Sequence, residues 1–189
     1  PYKFFLERVL NIAPEQEEGD YTAMARGTVL HKVLEGFYSC RLGQQLSSQD
    51  MEAYAIEIQN LVDAALGSEY AEGFQHLRLF EMEKNELVEW IVNYLEYDIK
   101  TQGAFTPLHL EYRFGFHKPF SLSGLPNVKL RGVIDRIDMS PEGDLAVFDY
   151  KNNSAPSLED IDDGTNLQLP VYILAAQKLL DRPVKVGAY

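Results

Sequence analysis

Apolar positions recur at helical spacing through the first half of the chain and at alternate positions in the second half. Residues 2–10 form a short amphipathic segment. Over 27–41, Leu30, Val33, Leu34, Phe37 and Tyr38 follow the three-and-four spacing of a helix, which leaves Thr28, His31 and Glu35 on another face. Good helix formers predict two more helices, over about 50–66 and about 80–100. The period changes at Pro107. From there Leu108, Leu110, Tyr112, Phe114 and Phe116 alternate with His109, Glu111 and Arg113, the pattern of a half-buried strand. Residues 128–139 and 145–151 read as two further strands, joined through the turn formers Ser140, Pro141, Glu142, Gly143 and Asp144 into a hairpin. After a polar loop, 166–181 reads as a helix whose Pro170 is tolerable only in the first turn, and 184–189 begins a strand. The order is helix, two added helices, three strands, helix, strand, an α/β layout with a mixed sheet. The expectation is one domain over 1–189, with a helical insertion over about 47–103, cut from a longer protein because the chain stops inside a strand.

The hairpin suggests chemistry. If it is symmetric about Glu142, Asp135 and Asp149 face each other with Cβ atoms about 4.5–5.5 Å apart, and like charges so placed call for something positive between them. Alternation puts Lys151 on the face of Asp149 and turns Tyr150 away. Two carboxylates held in this way suit a hard divalent cation, to which the Tyr150 carbonyl adds an oxygen and a phosphodiester another. The plainer reading makes Asp135 a surface carboxylate and Asp149–Lys151 an exposed ion pair of little worth. The apolar neighbours Val133, Ile134, Ile137, Val147 and Phe148 weigh against it, because buried acids need partners.

Four segments in order, GTVLHKVLEGF (27–37), GVIDRID (132–138), VFDYK (147–151) and LQLPVY (167–172), resemble the PD-(D/E)XK nuclease superfamily, in particular its RecB-like branch, which includes the RecB and AddB helicase-nucleases. The resemblance covers most of the chain. It implies a restriction-endonuclease-like core (αβββαβ, a mixed central sheet flanked by helices), with the helical insertion between first helix and first strand. Carried onto this sequence, it makes Asp135 and Asp149 metal ligands, Lys151 the catalytic lysine and His31 a further ligand. Gln168 and Tyr172 match a Gln-x-x-x-Tyr motif that supports the site or touches DNA, and Glu111 occupies the place of an acid on the first strand. Ile134 replaces the proline that names the superfamily. The implied activity is Mg²⁺-dependent hydrolysis of DNA, with Mn²⁺ also accepted because imidazole is softer than Mg²⁺ prefers. The implied setting is the exonuclease part of a recombination and repair protein, acting on single-stranded DNA beside a helicase domain or subunit. Exonuclease versus endonuclease mode stays open, and DNA over RNA rests on the resemblance alone.

Composition adjusts this picture. Cys40 is the single cysteine, so this chain holds no disulfide and no iron–sulfur cluster such as some relatives carry. No apolar run approaches a membrane span, and the expected setting is cytoplasmic, with no membrane partner. A net charge of −12 opposes phosphate binding, although bound cations change the local sign. Lys129, Arg131 and Arg136, close to Asp135 in sequence, are the cations expected to meet phosphate. Some of the 11 Tyr and 10 Phe could stack on unpaired bases. Each supporting residue has an ordinary explanation too: a lone helical His31 is more often structural, Gln168 and Tyr172 could be packing, Glu111 could pair with Arg113, and Glu35 could be solvated surface. A non-catalytic, nuclease-like module that binds DNA or a protein is the competing function; intact Asp135, Asp149 and Lys151 argue against it.

Overall fold

The computed structural model describes residues 18–69, 77–122, 124, 126–151 and 155–189, so the amphipathic segment at 2–10 lies outside the described residues. Helix α1 (Glu18–Ser39) is followed by a single 3-10 turn at Ser48–Asp50 and by helices α2 (Met51–Glu69) and α3 (Leu77–Thr101). Three strands, β1 (Thr106–Phe114), β2 (Gly132–Met139) and β3 (Leu145–Phe148), precede two helices, α4 (Leu158–Asp162) and α5 (Gln168–Leu180), and a last strand β4 (Val184–Ala188). The strands lie in sequence order, with β1–β2 and β2–β3 antiparallel and β3–β4 parallel. This is the mixed sheet with flanking helices expected from the pattern.

Two apolar clusters sit on the sheet. Val33, Leu34 and Phe37 of α1, Ile58 and Val62 of α2 and Leu87, Ile91 and Leu95 of α3 form one, into which Leu110, Phe148 and Tyr150 pack. Leu169, Ala175 and Ala176 of α5 close the other over Ile134, Ile137, Leu145 and Val147. Neighbouring residues of a strand point to opposite faces, so Val147 and Phe148 serve different clusters. The inserted helices therefore cover one face and α5 the other.

The hairpin has the expected register: Arg136, Ile137, Asp138 and Met139 pair with Phe148, Val147, Ala146 and Leu145, symmetric about Glu142. Its turn is closed by Gly143 N donating to Ser140 O (2.9 Å) and Ser140 N donating to Asp144 O (2.9 Å), with Gly143 at φ 90. Beyond Arg136–Phe148 the ladder stops, three residues earlier than the alternation predicts. There the Asp135 carboxylate takes the backbone N–H of Tyr150 (2.6 Å), so a side chain replaces the next rung. The short helix α4 falls where the pattern predicts a polar loop. Its signal is Ser157 three residues ahead of Asp160, which form a reciprocal capping box.

Candidate functional site

Alternation fails in β1 and β2 at the same level. Leu110 and Arg136 are paired and face the inserted helices, whereas Tyr112 and Ile134, the next recorded pair, face α5. Between them lie Glu111 and Asp135. Glu111 adopts φ 46, a left-handed conformation costing a non-glycine residue roughly 1–2 kcal/mol. Strain of this kind persists where surrounding structure demands it.

The two acids meet His31 of α1. Its Nδ1 lies 3.4 Å from Asp135 Oδ1 and 4.0 Å from Glu111 Oε1, while Nε2 donates to the Tyr150 carbonyl (3.2 Å). One ligand atom from each of His31, Glu111 and Asp135 falls within 4.8 Å of the others. The hydrogen bond to Asp135 is the main cause that raises the His31 pKa, against the effect of burial, with the Asp135 and Glu111 charges assisting. Burial, then the charges of Asp135 and Glu35, raise the Glu111 carboxyl. The two carboxylates beside His31 favour its protonated form. One imidazole nitrogen and two carboxylates form a donor set of the kind a hard divalent cation takes.

Asp149 lies beside this group rather than within it. Its Oδ1 accepts from Gln168 Nε2 (2.8 Å), and its Oδ2 is in ion-pair contact with Lys151 Nζ, outside hydrogen-bond alignment. Burial pushes the Asp149 carboxyl up and Lys151 opposes that shift. Gln168 also accepts from Lys151 Nζ through Oε1 (3.0 Å) and donates to Tyr172 Oη (3.2 Å). A single amide in the first turn of α5 thus holds the acid, the lysine and the tyrosine together. Tyr172 in turn packs edge-on to Phe114 at 6.0 Å. Gly132 allows that packing, because a Cβ there would come within 2.9 Å of both rings.

Arg136 requires a correction. Its sequence position makes it a candidate phosphate contact, but its side chain is 0% exposed. Its guanidinium donates to Asp138 Oδ1 (2.7 Å), to Asp98 Oδ2 (3.0 Å) and to Tyr94 Oη (3.2 Å), between the rings of Tyr38 and Phe148. It fastens the inserted helix α3 to β2 and cannot reach solvent. The reason is that both faces of the sheet are covered: Arg136 shares with Asp138 and with its partner Phe148 the face packed by the helical layer, opposite Ile137. Sequence reasoning also missed Asn166 and Tyr189. Asn166 Oδ1 accepts from Gln168 N (3.2 Å) and from Tyr189 Oη (2.9 Å), and the Tyr189 ring lies 5.8 Å from Lys151 Nζ. An Asn two residues before a helix start was the available signal.

This fold and this set of acids, lysine and glutamine define a class. A model of the PD-(D/E)XK nuclease superfamily matches residues 1–188, and the chain belongs to that superfamily as a nuclease domain. Among similar proteins, an ATP-dependent helicase/deoxyribonuclease subunit of Clostridioides difficile is 27% identical over 187 residues, covering 92% of this chain and 16% of the relative. Its namesake from Desulfitobacterium hafniense is 43% identical over 84 residues, 40% of this chain and 7% of its own length. An uncharacterized protein of Rickettsia typhi is 26% identical over 184 residues, covering 92% of this chain and 19% of the relative. The chain spans less than a fifth of the length of these relatives. Among the described residues, no helix is long and apolar enough to cross a membrane.

Proposed function

We propose that this chain hydrolyses phosphodiester bonds of DNA with the help of Mg²⁺ or Mn²⁺, as the exonuclease domain of a longer helicase-nuclease that works in recombination and repair. The observation that carries this reading is the convergence of His31, Glu111 and Asp135 on one point, with Asp149 and Lys151 held beside it by Gln168. The names of the helicase/deoxyribonuclease relatives support DNA as the substrate and a helicase as the partner.

His31, Glu111 and Asp135 would hold the metal, with the Tyr150 carbonyl and Asp149 as further donors. When bound, such an ion polarises a phosphoryl oxygen and acidifies an attacking water. The chain's own contribution is positional. Lys151 presents a proton-bearing Nζ that offsets charge developing on the phosphate. Gln168 fixes the spacing of Lys151 and Asp149 through both ends of its amide, and Tyr172 steadies Gln168 from the next turn. The inserted helices exclude water from the far side of the sheet, so the carboxylates act in a less polar surrounding than a surface would provide.

The test uses the purified chain with Mn²⁺ or Mg²⁺ and a labelled oligonucleotide. Cleavage is expected, and EDTA should stop it. Lys151→Ala should abolish cleavage while calorimetry still detects Mn²⁺ binding, whereas His31→Ala with Asp135→Asn should remove that binding. Undiminished cleavage by Lys151→Ala would sink the mechanism. A folded wild-type chain that neither binds Mn²⁺ nor cleaves would leave a non-catalytic module.

A further inference from the structure

The 29 acidic residues that give the chain its negative charge all lie outside one stretch. Residues 112–134 contain no Asp or Glu and four of the 17 Lys and Arg. That stretch lies between Glu111 and Asp135, two members of the metal-ligand cluster, and supplies the connection from β1 to β2. Running from Gly115 to Arg131, the connection exceeds the roughly 12–15 residues beyond which loops without secondary structure are usually functional.

Its described part is built rather than loose. Phe120 is buried against Phe114, its backbone bridges to Leu130 (2.9 Å), and Lys178 of α5 donates to Ser121 O (2.6 Å). Gly115, at φ 77, presses so closely on the Leu130–Arg131 backbone that a Cβ would lie 2.0 Å from Leu130 O. This contact brings the two ends of the connection side by side. Phe116 then stands exposed, 48% accessible, with the Arg113 and Arg131 guanidinium groups 5.9 and 5.7 Å from its ring centre. Both distances are near the outer limit of a cation–π contact. Both arginines are exposed, and no carboxylate among the described residues lies within ion-pair distance of either. Arg113 lies two residues from Glu111 on β1, so the platform adjoins the metal cluster.

An exposed ring flanked by cations, on the acid-free stretch of an acidic chain, has the chemistry of a stacking site for a base with phosphates on either side. We infer that Phe116 with Arg113 and Arg131 forms a platform for single-stranded DNA. An unpaired base stacks on Phe116, and the neighbouring phosphates meet the two arginines, with Lys118 and Lys129 extending the positive path. This inference rests on the nuclease reading for its substrate but not for its measurement. The strand, rather than a duplex, is specified because an internal duplex base has both faces covered by its stacked neighbours, whereas an unpaired base can turn a face to the ring. Arg113 pairs with Val133, close along β1 and β2 to Glu111 and Asp135, so the platform would hold the nucleotides next to the scissile phosphate.

The test is fluorescence anisotropy of a labelled oligo(dT) in EDTA, which suppresses cleavage, over a series of salt concentrations. Phe116→Ala should weaken binding at least about fivefold, the lower end expected for one stacked base, and Phe116→Trp should restore it. Arg113→Ala with Arg131→Ala should weaken binding further and reduce the slope of log affinity against log salt by about 1.4, near 0.7 per lost phosphate contact. A blunt duplex should discriminate poorly between wild type and Phe116→Ala. Cleavage in Mn²⁺ is measured alongside: the platform variants should raise KM with little change in kcat. If the wild type cleaves and these variants bind and cleave as it does, the platform is wrong and the nuclease reading stands. If the variants lose oligo(dT) binding and the wild type never cleaves, the platform stands and the nuclease reading falls. Equal loss of duplex and oligo(dT) binding in Phe116→Ala would overturn the stacking role.

Discussion

Replacing Arg136 by methionine should destabilise the fold rather than blunt its contact with DNA. The guanidinium is fully buried between Asp138 and Asp98, whose side chains are 0% and 4% exposed, and it also donates to Tyr94. Methionine fills much of the volume but leaves two buried carboxylates without their cation. Breaking a buried pair on one side costs about 3–5 kcal/mol. Tyr38 still donates to Asp98 (2.6 Å), so the lower half of that range is the better figure. At about 2–4 °C per kcal/mol for a domain of this size, the melting temperature should fall by roughly 6–16 °C. The assay is thermal and urea unfolding of the metal-free chain, followed by oligo(dT) binding well below the new midpoint. Adding Asp98→Asn and Asp138→Asn to Arg136→Met should recover part of the loss, because no buried charge then remains unpaired. A melting temperature within a degree or two of wild type, combined with weakened DNA binding, would refute the buried-network account and return Arg136 to the surface role its sequence position suggested.

Other outcomes follow from the same geometry. Glu111→Gly relieves a left-handed residue in a strand and removes one of the crowded carboxylates, so the metal-free chain should gain up to about 1 kcal/mol in urea unfolding while Mn²⁺ affinity measured by calorimetry falls. Gln168→Ala should lower kcat about 10–100-fold, as loss of an outer-shell partner typically does, with Mn²⁺ affinity reduced less than in Asp135→Asn. Gly115→Ala places a Cβ against Leu130 O at an unfavourable φ and should destabilise the β1–β2 connection, read as faster hydrogen exchange there and weaker oligo(dT) binding. Ser157→Ala removes the α4 capping box and should cost that exposed helix about 1 kcal/mol locally, leaving Mn²⁺ binding unchanged.

Much of the architecture was legible without coordinates because it rests on local patterns. The change of hydrophobic period at Pro107 separated helices from strands, and the turn residues around Gly143 set the hairpin register that aligns Asp135 with the end of β3. His31, Asp149, Lys151, Gln168 and Tyr172 could be singled out from motif order, and Glu111 from its place on the first strand. Their convergence depends on contacts between distant segments. Gln168 meets Lys151 because α5 packs back across the sheet, and His31 meets Asp135 because α1 packs against the same face of the sheet as the inserted helices.

Period-2 reasoning failed where the chain breaks its own period. At Glu111 and Asp135 both strands change face, which no spacing in the sequence signals, and Arg136 is the buried tie between α3 and β2 because helices cover its face of the sheet. Phe116, which the alternation placed on the apolar face of the first strand, instead stands exposed beyond the end of β1. Only the close approach of Gly115 to Leu130 and Arg131 sets it between two arginines. The sequence by itself determined the order of the main helices and strands, the hairpin register and the chemical identity of the acids, because each is written in spacing along a few residues. Tertiary structure decided which acids share a centre, which cation is buried and which is exposed, because those depend on backbone twists and packing between segments a hundred residues apart.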